Sequence, residues 1–199
     1  FSPDDFVLLW LGIFMPHRRL QDAIQAIHLL KSRGVKARLL LAGSDRSYPE
    51  YLTSLRTLAR KLEVEDRVTF AGKVADEEIT DFYCASDTFL FPNENQTWGL
   101  AVFEAMACGR PVLVSTGAAV HEVLTDMKDA LLFPARNPET LSKKIELLMS
   151  NVQLRQSIAR EGRALALTYT WNRFAEQNLE VFHDILQNEK PDYEPATVR

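Results

Sequence analysis

TFLFPNENQTWGLAVFEAMACGRPVLVS, residues 88–115, is the stretch whose reading decides the fold. Thr88 to Phe91 is a short apolar run stopped by Pro92, the signature of a strand covered on both faces. A polar loop follows, and Gly99 opens a helix over Leu100 to Cys108 that Gly109 ends. Pro111 to Ser115 is a second apolar run. Strand, loop, helix and strand in this order make a βαβ unit, with parallel strands joined by a right-handed crossover.

The same unit repeats on either side. Val7 to Leu11 is a strand ending at Gly12, and a helix over Arg19 to Lys31 carries apolar residues at Leu20, Ala23, Ile24, Ile27 and Leu30. Gly34 closes it as a C-terminal cap. Strands follow at Ala37 to Ala42 and Arg67 to Ala71, ending at Gly43 and Gly72, with a helix over Tyr51 to Leu62 between them. Asp76 is the expected N-cap of a helix running to Cys84. Ala130 to Phe133 is a sixth strand, and helices are expected over Pro138 to Met149, Gln153 to Leu167 and Trp171 to Gln187. The fold class is α/β, a parallel sheet with helices on both faces. Such sheets take ligands at the carboxyl ends of their strands, beside the topological switch point.

Composition excludes several classes. A net charge of −4 with Lys and Arg spread along the chain gives no electrostatic case for nucleic acid. Cys84 and Cys108 have no further sulfur partners and read as small core residues, not as a disulfide or zinc framework. His17, His28, His121 and His183 fall in neither a metal-ligand nor a triad spacing, so no metal site is assigned. Gly12-Ile13-Phe14-Met15-Pro16 lacks the dinucleotide fingerprint Gly-x-Gly-x-x-Gly, and no Gly-Lys-Ser/Thr phosphate loop exists.

Phosphate chemistry is still legible. Unpaired N–H groups at the helix start Gly99-Leu100 carry the positive end of its dipole, which suits a diphosphate. Arg18 and Arg19, below Gly12, are either solvated cations or a guanidinium fork on that diphosphate. Glu104 interrupts an apolar helix, and a carboxylate buried there needs partners. Either it emerges at the helix edge and pairs with a neighbour, or the vicinal hydroxyls of a ribose satisfy it. Gly43 is a turn glycine or a point of close backbone approach. Gly72-Lys73-Val74 is a strand exit or a surface against a base, and Glu94 reads as a solvated loop charge.

Trp98-Gly99-Leu100, Glu104-Ala105-Met106-Ala107 and Gly109-Arg110-Pro111-Val112 resemble, in order and spacing, the signature of glycosyltransferase family 4. In that large retaining family with the GT-B fold, a Glu-x7-Glu pair brackets aromatic-Gly-Leu and runs into Ala-Met-Ala-x-Gly-x-Pro-Val. The likeness extends over essentially the whole chain. It implies a Rossmann-like domain, the C-terminal half of a GT-B enzyme, that takes a UDP- or GDP-type sugar donor without metal or separate cofactor. It further implies that Glu104 holds the ribose, Gln96 orients the sugar hydroxyls and Arg18 meets the diphosphate. Gly12, Arg19, Gly43, Val74, Trp98, Gly99 and Leu100 would line the nucleotide.

Two departures stand out. The first Glu of the pair is Gln96, and the Arg that follows the first-strand Gly in the family is Ile13, while Arg19 replaces a customary Gly. Either one diphosphate cation is then missing, or Arg19 or His17 stands in for it. Two rivals stay open: a GT-B sugar-nucleotide epimerase, and a catalytically degenerate nucleotide-sugar-binding module. The chain opens Phe1-Ser2-Pro3-Asp4 ahead of a strand, so we expect an excised donor domain over residues 1–187 with a polar tail over 188–199. Its partner would be an N-terminal acceptor domain, and the full protein would be cytoplasmic, at a membrane face if its acceptor is lipid-linked. Trp171, Phe174, Ala175, Leu179, Phe182, Ile185 and Leu186 form one helical stripe, which offers the isolated chain a face for weak dimerisation or packs on its own core.

Overall fold

A computed structural model describes Ser2, residues 4–96 and residues 98–187. The chain divides into two units, Phe1–Ala166 and Leu167–Arg199. In the first, a six-stranded sheet runs in the order β3-β2-β1-β4-β5-β6, and every adjacent pair is parallel. Its strands are β1 (Phe6–Ile13), β2 (Ala37–Ser44), β3 (Val68–Gly72), β4 (Thr88–Phe91), β5 (Val112–Ser115) and β6 (Leu131–Phe133). The helices are α1 (Leu20–Ser32), α2 (Pro49–Lys61), α3 (Ile79–Ala85), α4 (Leu100–Ala107), α5 (Pro138–Ser150) and α6 (Val152–Ala166). The order reverses between β1 and β4, so the switch point lies where the loops after those two strands begin.

Alternation along β1 builds the two layers. Phe6, Leu8 and Trp10 join one core with Ile24, Ile27 and Leu30 of α1 and Leu141, Ile145 and Leu148 of α5. Val7 and Leu9 join the opposite core with Tyr83 of α3 and Val102, Ala105 and Met106 of α4. Local chemistry sets the helix starts. Asn137 accepts a hydrogen bond from the Thr140 N–H at 2.8 Å, with Pro138 in the first turn of α5. Asn151 does the same for the Leu154 N–H at 2.9 Å.

Three local expectations are corrected. Asp76 opens a 3-10 turn over Asp76–Glu78 instead of capping a helix, and Glu78 reaches back to the Ala75 N–H at 3.3 Å. Arg19 is not the first helical residue; it sits at φ 53°, the left-handed region a Gly takes without strain. Its guanidinium holds Asp22 through two hydrogen bonds of 3.0 and 2.9 Å, which offsets part of that cost. Cys84 is exposed, because Tyr83 takes the one buried position of α3, and Cys108, at the C-terminal end of α4, is only half-buried.

In the second unit, α7 spans Trp171–Gln187, with Trp171 edge-on to Phe174 at a centroid separation of 5.9 Å. Trp171, Phe174, Leu179, Phe182, Ile185 and Leu186 are exposed. The expected tail, 188–199, lies outside the described residues.

Candidate functional site

Three loops converge at the switch point, and backbone hydrogen bonds stitch them together. The loop after β4 gives the Glu94 N–H to the His17 carbonyl at 2.9 Å and the Asn95 N–H to the Gly117 carbonyl at 2.8 Å. It receives the Ala119 N–H on the Gln96 carbonyl at 2.9 Å. A Cβ on Gly117 would lie 2.9 Å from the Ala135 Cβ and 3.1 Å from that of Glu94, so this junction admits only glycine without rearrangement. The segment carrying Gln96 is therefore fixed from both sides.

The Gln96 side chain is fixed as well. Its Oε1 accepts from Arg18 Nη1 and from Asn93 Nδ2, the latter at 2.6 Å. An arginine nitrogen can only donate, so the atom it meets is the oxygen, and the Gln96 amide nitrogen faces away. Burial pushes the half-buried Arg18 guanidinium below its ordinary basicity. Arg18 Nε and Asn93 Oδ1 are buried without a partner among the described residues. Buried groups of this kind mark a site that an added ligand can complete.

Glu94 is not the solvated loop charge that its sequence position suggests. Its side chain is 14% exposed, and its carboxylate takes two hydrogen bonds from Arg136, at 2.7 and 3.0 Å. Arg19 Nε lies 3.9 Å away. The Arg136 hydrogen bond, then Arg19, hold the carboxyl below its ordinary value of 4.5. A depressed folded pKa means that this stabilisation is present above about 4.5 and is lost as pH falls through the lowered value. We expect Glu94→Gln to melt about 2–4 °C below the parent at pH 7, the scale of a single partly exposed ion pair. The gap should close towards pH 3. A gap that stays constant into acid would show that shape, not charge, anchors the loop.

α4 begins at Gly99 with no side-chain cap and no acidic residue in its first turn, which leaves the positive end of its dipole uncompensated. Trp98 stacks on Phe103 at 5.4 Å, and Leu100 and Ile13 are exposed nearby in sequence to the two loops. Glu104 follows one turn along α4. It is exposed, so it does not suffer the burial that its apolar helix suggests, and Tyr83 supplies a protein partner, donating to Glu104 Oε2 at 2.9 Å.

The other candidates are placed as follows. Gly12 pairs with Gly43 across β1 and β2, and a Cβ on Gly43 would sit 1.6 Å from the Gly12 carbonyl oxygen. The close approach at Gly43 is thus made by the neighbouring strand. Val74 is 8% exposed and packs in the core, so its side chain is not an open surface. Arg19 is occupied by Asp22, so of the two arginines Arg18 is the one with donor capacity to spare. Beside Gln96 a cavity of about 320 Å³ reaches Gly117, His121 and Glu122. Sequence reasoning missed Tyr83, Asn93 and Arg136. Tyr83 alone gave a signal, as an aromatic with a polar tip in a short helix that has one inward position.

These features define a doubly wound α/β domain with an anion-receptive helix start at its switch point. GT-B glycosyltransferases have this domain. Anabaena Alr3699/HepE, solved in complex with UDP and glucose, superposes with a TM-score of 0.82 at 21% identity, over 92% of this chain and 49% of that one. The C-terminal domain of a glycosyl transferase group 1 protein (LpcC) from Francisella tularensis superposes with a TM-score of 0.70 at 20% identity, over 82% of this chain and 85% of that domain. Among sequence relatives, the N-acetyl-alpha-D-glucosaminyl L-malate synthase of Bacillus anthracis is 26% identical over 190 residues, 95% of this chain and 48% of that protein. The chain spans about half the length of the curated relatives it matches. Residues 1–165 match the family model of the glycosyl transferases group 1, and the chain belongs to that family.

Proposed function

We propose that this domain holds the nucleotide-diphosphate sugar donor of a retaining glycosyltransferase, whose acceptor is bound by a separate N-terminal domain. The observation that carries the reading is the pairing, around one fixed loop, of half-buried Arg18 with the uncapped start of α4. Both favour negative charge, and together they suit the diphosphate that leaves as the sugar departs. In this reading the C1–phosphate oxygen bond breaks and the acceptor oxygen bonds C1 on the same face. The acceptor proton passes to the departing phosphate oxygen. Arg18 and the α4 dipole stabilise the developing charge without a divalent ion, Gln96 orients sugar hydroxyls, and Glu104 accepts from the ribose. The Anabaena neighbour has been solved with UDP, with UDP and glucose, and with UDP-glucose, which supports a uridine nucleotide here.

Calorimetry with UDP, GDP and ADP, beside a transfer assay, tests the reading. The chain should bind one diphosphate nucleotide, equally well in EDTA, and transfer no sugar by itself. Transfer by this chain alone would sink the division of labour, conversion of a free UDP-sugar without acceptor would favour an epimerase, and no nucleotide binding would end the donor reading.

A further inference from the structure

Tyr83 occupies the one buried position of α3 and is 1% exposed. Its ring stands edge-on to Phe89 of β4, with centroids 5.4 Å apart, so packing fixes where its hydroxyl emerges. That hydroxyl lies 2.9 Å from Glu104 Oε2 and 3.3 Å from the Ala101 carbonyl oxygen. A phenol carries one proton, and the nearer, charged acceptor takes it. Burial, reinforced by the Glu104 charge, pushes the phenol above its ordinary range, so it remains a donor throughout the working pH range.

The direction of benefit follows from the two acceptors. The buried phenol has the Ala101 carbonyl within reach and does not need Glu104 for satisfaction. Glu104, exposed on α4, has three side-chain torsions to lose and gains a fixed orientation from the bond. With Oε2 held, Oε1 is left as the oxygen that can accept from a ligand. A side chain ordered beforehand loses no rotamer freedom when the ligand arrives.

We infer that Tyr83 is a positioning residue that pre-sets Glu104 to accept from the vicinal hydroxyls of a nucleotide ribose. The inference rests on the donor reading above, and it adds a residue from a second helix to the site. It acts through Glu104 alone, so its effect is confined to ligands that present the ribose hydroxyls.

The test is calorimetry of the whole chain with UDP and 2′,3′-dideoxy-UDP, for the parent, Tyr83→Phe and Glu104→Ala. The ratio of the two affinities is insensitive to the folded fraction, because both nucleotides sample the same molecules. The parent should prefer UDP by about tenfold or more, Tyr83→Phe should lower that preference about threefold to tenfold with the dideoxy affinity unchanged, and Glu104→Ala should erase it. Glu104→Asp, which withdraws the carboxylate from Tyr83 on an exposed position, should also lose preference and covers the case in which Tyr83→Phe does not fold. If Tyr83→Phe, or Glu104→Asp in its place, discriminates like the parent while Glu104→Ala does not, the positioning role is overturned and the donor reading stands. If Glu104→Ala binds both nucleotides like the parent, the ribose contact itself is wrong and both fall.

Discussion

Alanine at Gly43 is expected to cost about 4 kcal/mol or more, at the extreme of what single substitutions do. The backbone there has φ +144°, which L side chains rarely adopt, and the added Cβ would lie 1.6 Å from the Gly12 carbonyl oxygen and 2.7 Å from its carbon. Those atoms are backbone and cannot swing aside, so β1 and β2 must part at the ends that hold the Gly12 loop. At this chain length the loss corresponds to a fall in Tm of about 8–16 °C, together with weaker nucleotide binding through displacement of Arg18. Gly34→Ala is the control. Its φ is +75°, but nothing lies within 4 Å of the added Cβ, so only the backbone cost of about 1 kcal/mol should appear. Thermal unfolding of the three proteins side by side decides it, and a Gly43→Ala protein that melts with the Gly34→Ala control would refute the close approach of the two strands.

Gly43 also shows how far the sequence reaches. Apolar runs closed by glycine announced strands and placed the ligand end of the sheet, because covering both faces of a parallel sheet forces that pattern. Close backbone approach was one of the two readings open at Gly43, but what approaches was not readable, since it lies in a second strand brought alongside. The same limit explains Glu94 and Arg136, 42 residues apart and joined only when the β4 loop meets the segment after β6. It explains Tyr83 and Glu104 too, which belong to different helices. Contacts within a helix follow its period, whereas contacts between elements depend on packing angles that no local spacing encodes.

The two departures from the family pattern look different in three dimensions. Gln96 keeps its place as the acceptor between Arg18 and Asn93, a role the amide oxygen fills as a carboxylate would. Ile13 leaves an exposed apolar side chain where the family carries a cation. Arg19, read from the sequence as a substitute cation, is instead occupied in holding its own left-handed turn through Asp22.

Glu104→Ala should weaken nucleotide binding by about 1.5–3 kcal/mol, the range for hydrogen bonds to a charged group, or roughly tenfold to 150-fold in Kd. Thermal stability should barely move. The Glu104 side chain is exposed, alanine is the best helix former, and the Tyr83 phenol retains the Ala101 carbonyl at 3.3 Å as an acceptor. The separation of the two effects is the content of the prediction, because a carboxylate kept only to satisfy Tyr83 would give the opposite pattern. In that case the variant would melt lower and each folded molecule would bind nucleotide as before. Glu104→Gln sharpens the contrast: it retains an acceptor for Tyr83 but loses the charge, so it should fall between the parent and the alanine variant in affinity while matching the parent in Tm. Calorimetric titration with UDP and differential scanning calorimetry on the same preparations read both quantities. Parent-like affinity in Glu104→Ala would remove Glu104 from the site and, with it, the residue on which the ribose assignment depends.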